Sequence, residues 1–121
     1  MEKKKTLVIG ASVKEERYSN KAVRMLQENR MPVVAYGNKM GKINGVEIKT
    51  NFPTDPDFDT VTLYLSASNQ EPYYEQIIKL HPKRVIFNPG TENAEFQKML
   101  KDNGIETEIA CTLVLLTTKS Y

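Results

Sequence analysis

The chain has 121 residues, 40% apolar and 26% charged, with a formal net charge of +2. One compact domain spanning residues 1–121 fits that length, and so small a net charge gives no support to a nucleic-acid or membrane-surface role. The single cysteine, Cys111, rules out an internal disulfide and suits a reducing compartment, so a cytoplasmic setting is expected.

Lys3-Lys4-Lys5 reads as a solvated lead-in. No apolar h-region follows it, so no secretory signal is expected. No stretch approaches the ~20 apolar residues of a membrane span. Thr6–Ile9 is a short apolar, β-branched run and predicts a buried strand that stops at Gly10-Ala11-Ser12. Ser19 or Asn20 can cap a helix whose inner face carries Ala22, Val23, Leu26 and the stem of Arg30. Val33–Tyr36 predicts a second strand. In "GKINGVEI" the Asn44-Gly45 pair is a turn signal, and "NFPTDPDFD", with two prolines, reads as loop; irregular structure is expected to replace one crossover helix here.

Val61–Leu65 predicts the third strand. A helix from about Glu71 to Leu80 follows, with Pro72 in its first turn and Tyr74, Ile77 and Ile78 at helical spacing. Val85–Phe87 is the fourth strand. A helix from about Asn93 to Asn103 turns Phe96, Met99 and Leu100 inward and stops at Gly104. Glu106–Ala110 is a weaker fifth strand, and "CTLVLLTTKSY" fits strand or short helix equally. The alternation predicts an α/β fold: Rossmann-like, three-layer α/β/α, with a mostly parallel sheet of about five strands.

In such a sheet, ligands bind beyond the carboxyl ends of the strands, where strand order reverses. The segments there are Gly10-Ala11-Ser12, Gly37-Asn38-Lys39, Ser66-Ala67-Ser68-Asn69 and Asn88-Pro89-Gly90-Thr91. All are small, polar and free of acids, and suit an anion held by backbone N–H groups. Arg17 can pair with a phosphate. Turns also demand small residues, so one such segment is a weak signal and the set of four is stronger. An NAD site usually places an acid after the second strand. This chain has Lys39 there, which suits a ribose carrying an extra phosphate, as in coenzyme A or NADP.

The segments "VIGASVKEERYSNKAVRML", "VIFNPGTEN" and "CTLVLL", in that order, resemble the small stand-alone CoA-binding domain proteins. These are Rossmann-like and similar to the nucleotide-binding domain of the succinyl-CoA ligase alpha subunit. The resemblance implies coenzyme A or an acyl-CoA as ligand. It implies that Gly10, Ala11 and Ser12 meet the diphosphate, and that Arg17 and Ser19 support that loop. Tyr36, Gly37 and Lys39 would flank the adenosine or its 3′-phosphate, and Ser66, Ala67, Ser68, Asn88, Pro89 and Gly90 would close the pocket. Two departures stand out. Tyr36-Gly37-Asn38 replaces a frequent Val-Asn-Pro, and Tyr18 follows Arg17 where relatives often have proline.

Catalysis finds little support. The only histidine, His81, falls at a helix end, and one cysteine with one histidine makes no zinc site. No nucleophile–base set is legible around Cys111, which is either a small buried hydrophobe or a pocket-facing thiol able to exchange with the ligand's own. Glu92 is expected in the first turn of the third helix, with Tyr73 and Tyr74 as packing residues. The expected function is a non-catalytic binding module for a small-molecule nucleotide ligand, with catalysis left to a protein partner. The rivals are an NADP-binding domain or small oxidoreductase, and a protein-interaction domain with a vestigial nucleotide pocket.

Overall fold

The computed structural model describes residues 1–121. The order of elements is β1 (Thr6–Ile9), α1 (Tyr18–Glu28), β2 (Val33–Tyr36), β3 (Gly41–Ile43), β4 (Val46–Lys49), β5 (Thr60–Leu63), α2 (Ala67–Gln70), a 3₁₀ turn (Glu71–Tyr73), α3 (Tyr74–Leu80), β6 (Arg84–Phe87), α4 (Ala94–Asp102), β7 (Glu106–Ile109) and α5 (Thr112–Thr117). One seven-stranded sheet runs β3-β4-β2-β1-β5-β6-β7, and only the β3–β4 pair is antiparallel. The fold is the expected Rossmann-like α/β sandwich, with seven strands instead of about five.

The two extra strands come from the segment expected to be irregular. Asn44 and Gly45 both have positive φ (47° and 85°), the conformation of the two-residue hairpin turns whose twist matches that of paired strands. The turn folds β3 onto β4, and β4 then pairs parallel with β2 through Ala35↔Ile48 and Tyr36↔Lys49. Residues 50–59 form no regular element.

Both faces of the central strands are apolar, as a covered parallel sheet requires. Leu7, Ile9, Val61, Leu63, Val85 and Phe87 pack on one face with Tyr74 and Ile77 of α3 and Phe96 and Leu100 of α4. Val8, Ala35 and Ile86 pack on the other with Val23 and Leu26 of α1 and Leu116 of α5. The tail is therefore a helix. Its last residue, the buried Tyr121, donates or accepts a 2.6 Å hydrogen bond with the Thr6 hydroxyl.

Helix ends differ from expectation in three places. The N-cap position of α1 is Arg17, with no side-chain capping bond, and Ser19 and Asn20 lie buried inside the first turn. Asn20 is used instead for tertiary bonds, described below. Helix α1 ends at Glu28, so Arg30, exposed and at φ 60°, lies outside it. Asn93 does cap α4, its side chain accepting from Phe96 N at 3.0 Å. Glu92 stands before that cap, outside the helix, and its carboxylate accepts from Gly90 N at 2.9 Å.

Candidate functional site at the strand ends

Register sets the level of the site. Ile9 pairs with both Tyr36 and Leu63, and Leu63 with Phe87, so β1, β2, β5 and β6 stop at one height. Strand order reverses between β1 and β5, the place where a doubly wound sheet opens a crevice. A cleft of about 460 Å³ lies there, walled by the ends of β1, β2 and β5.

From β1 the wall takes Ile9 through Lys14, and Arg17. Gly10 sits at φ 96°, and a side chain on it would press against the Tyr64 backbone. Gly10 and Ala11 both donate their N–H to the Tyr36 carbonyl, at 2.9 and 3.0 Å. Those amides are consumed, so a ligand would find the Ser12 and Val13 N–H groups, which have no partner within the chain. The loop itself is anchored. Asn20 donates to the Ser12 carbonyl at 2.9 Å, Arg24 donates to Asn20 and to the Glu15 carbonyl, and Lys14 N donates to Ser12 Oγ.

From β2 come Tyr36, Gly37, Asn38 and Lys39. Gly37 is buried against the β1 loop, and a Cβ there would overlap the Ala11 carbonyl oxygen. From the segment after β5 come Tyr64, Leu65 and Ser66, from α2 Asn69, and from the 3₁₀ turn Tyr73. Tyr36 donates to the Tyr73 hydroxyl at 3.3 Å, and Phe52 meets Tyr36 edge-on (5.2 Å) and stacks on Tyr73 (6.0 Å). Burial, then the Tyr73 hydrogen bond, pushes the Tyr36 hydroxyl up to about 12. Burial likewise raises Tyr64 to about 12, and its hydroxyl has no hydrogen-bond partner.

The electrostatics are one-sided. Lys14, Arg17 and Lys39 reach the wall, none of them forms an ion pair, and no carboxylate lines the cleft.

Eight of the residues singled out in the sequence thus share one cleft: Gly10, Ala11, Ser12, Arg17, Tyr36, Gly37, Lys39 and Ser66. Ser19, Ala67, Ser68, Asn88, Pro89 and Gly90 are not on its wall. Asn88 is a structural residue. Its amide donates to Thr62 Oγ1 (2.7 Å) and the Leu63 carbonyl (2.8 Å), and its oxygen accepts from Thr112 N (2.9 Å). Cys111, half-buried at the start of α5, is also off the wall. Tyr73 and Tyr64 went unread as cleft residues. Tyr73 shares the helical face of Ile77, four residues on, and packs on the same core, so local pattern does not mark it as a cleft residue.

A family model described as CoA binding domain matches residues 4–117. The chain belongs to that family. No curated protein matches it in sequence. A crystal structure of an uncharacterized protein shares 42% identity over the full length of both chains, with a TM-score of 0.97. A hypothetical protein from Pyrococcus horikoshii OT3 shares 28% identity, covering 93% of this chain and 80% of its own, at a TM-score of 0.83. A Thermus thermophilus protein, 22% identical, covers 98% of this chain and 91% of its own at a TM-score of 0.85, a likeness of fold.

The cleft fits what the family name implies. CoA is a polyanion carrying a diphosphate and a 3′-phosphate, and the wall offers unpaired cations without a competing acid. Gly10 and Gly37 let the three strand-end loops close on one another to form that wall, since a Cβ at either would meet the backbone of Tyr64 or of Ala11. No helix is long and apolar enough to cross a membrane.

Proposed function

We propose that the chain holds CoA or an acyl-CoA in this strand-end cleft, as a cytoplasmic binding module and not as an enzyme on its own. The observation that carries the reading is the wall with three cations, no ion pair and no carboxylate. A folded protein that leaves cations unpaired around a concave site attracts anions into it.

In this reading Ser12 and the free N–H groups of Ser12 and Val13 meet the diphosphate, with Arg17 across from them. Gly10 and Ala11 shape the loop without donating to the ligand, since their own amides are spent on Tyr36. Lys39 takes the 3′-phosphate, Tyr36 and Gly37 flank the adenosine, and Ser66 closes the far side. The binding-module reading is supported by the wall itself, which presents no histidine, cysteine or carboxylate to serve as nucleophile or base. A protein partner would then supply the chemistry.

Calorimetric titration with CoA, acetyl-CoA, NADP and NAD is the test. CoA or its thioester binds and raises the melting temperature, since a ligand bound only by the folded state stabilises it. Arg17→Ala and Lys39→Ala each weaken binding roughly tenfold, the loss of one charge-assisted contact. Tight NADP binding with none for CoA overturns the assignment.

A further inference from the structure

The sequence holds two Asn-Gly pairs, Asn44-Gly45 and Asn103-Gly104. Such a pair carries its own reaction. The glycine nitrogen, once its proton has gone to hydroxide, attacks the asparagine side-chain carbonyl, and the missing Cβ leaves the approach open. The N–Cγ bond forms, the Cγ–Nδ2 bond breaks and ammonia leaves, closing a cyclic imide. Water then opens the ring at either carbonyl. One opening gives aspartate; the other routes the main chain through the side chain and gives isoaspartate. Nothing is oxidised or reduced, and water is the co-reactant.

Both pairs are exposed, so access to water does not separate them. Hydrogen bonding does. Gly104 N donates to the Lys101 carbonyl at 3.0 Å, and Asn103 Nδ2 donates to the Met99 carbonyl at 2.8 Å. Nucleophile and target are thus both tied to the end of α4, and both ties must break before this pair reacts.

The other pair is looser. Gly45 N has no hydrogen-bond partner within the chain, and nothing lies within 4 Å of where a Cβ on Gly45 would stand. The nucleophile is free. The Asn44 carboxamide has one tie, from Nδ2 to Gln27 Oε1 at 3.2 Å, exposed and at the long end of such bonds. Gln27 Nε2 in turn donates to the Asn44 carbonyl at 3.0 Å, so Gln27 clasps the turn from α1. The turn itself is easily opened. It leads from β3, a strand of three residues at the sheet edge that pairs with β4 alone.

We propose that Asn44 is a site of spontaneous modification, deamidated by the Gly45 amide to aspartate and isoaspartate, and that Gln27 slows the reaction. Isoaspartate lengthens the main chain of a two-residue turn that sets the Ile43↔Val46 register, so β3 loses its pairing with β4. The inference stands on this hairpin and does not depend on CoA binding.

The test is incubation of the native protein in mildly alkaline buffer, followed by peptide masses and by enzymatic methylation of isoaspartate. The Asn44 peptide converts roughly tenfold faster than the Asn103 peptide, the factor set by the two bonds that hold the latter. In urea, where neither pair keeps its bonds, the two convert at similar rates. Gln27→Ala speeds conversion at Asn44 roughly threefold, the scale of one exposed hydrogen bond, and alanine keeps α1 helical. No conversion at Asn44, equal or faster conversion at Asn103, or an unchanged rate in Gln27→Ala overturns the proposal. So does a preference for Asn44 that persists in urea, since sequence and not fold would then be its cause.

Discussion

The loop after β1 and the loop after β6 leave the sheet at the same height, and both are built from small polar residues. Their hydrogen bonds separate them. After β6, Asn88 makes three buried bonds, Thr91 Oγ1 donates back to the Asn88 carbonyl at 2.7 Å, and Glu92 takes the Gly90 N–H. After β1, Ser12 N and Val13 N are left over, and Lys14 and Arg17 have no acid. The β6 loop ties its side chains into the protein, while the β1 loop leaves two cations unpaired beside the cleft. A segment whose side chains are engaged in buried bonds supports a fold; one with unpaired cations around a cleft can receive an anion.

Substitution sharpens the contrast. Asn88→Ala has the largest expected effect: three buried bonds go, at about 1 kcal/mol each, so urea denaturation shows a loss of about 3 kcal/mol. CoA affinity of the folded fraction stays within about twofold. A large loss of affinity with intact stability would assign the β6 loop to the site after all.

Gly37→Ala comes next. Its Cβ would collide with the Ala11 carbonyl, displacing the β1 loop, and overpacking of this kind costs about 2 kcal/mol. Stability and CoA affinity fall together, which distinguishes it from Arg17→Ala, where stability holds within about 0.5 kcal/mol while affinity drops.

Tyr64, on the cleft wall at the end of β5, gives a smaller effect. Its folded-state pKa of about 12 lies above the ordinary 10.0. The neutral hydroxyl is thus favoured by folding, and this contribution is complete below pH ~10 and lost as pH rises toward 12. Urea midpoints therefore fall across that window. Tyr64→Phe, which removes a buried hydroxyl that has no partner, is within about 0.5 kcal/mol of the parent at neutral pH and falls less steeply in alkali. Glu92→Gln is smallest of all. It alters an exposed acceptor and moves stability by less than about 0.5 kcal/mol.

Much of the architecture was legible because β1, β5 and β6 are buried on both faces and stand out as apolar runs. The β3–β4 hairpin did not stand out. Its strands have three and four residues, and Lys42, Glu47 and Lys49 are exposed, leaving Ile43 and Ile48 as the buried markers on either side of a correctly read turn. Tyr64 and Leu65 prolong an apolar run in sequence but leave the sheet after Leu63, packing on opposite faces of the core while bordering the cleft. Composition made the four strand-end segments look alike. What parted them was Asn88 reaching Thr62 and Thr112, 26 and 24 residues away, a long-range pairing that local pattern does not contain.

The Tyr36–Tyr73–Phe52 contact has an optical corollary. The chain has six tyrosines and no tryptophan, so its ultraviolet emission is tyrosine emission. Tyr36 and Tyr73, hydroxyl to hydroxyl, border the cleft, and a purine arriving beside them would quench part of that signal. The protein thus carries an unlabelled reporter of occupancy, built from the same rings that shape the pocket.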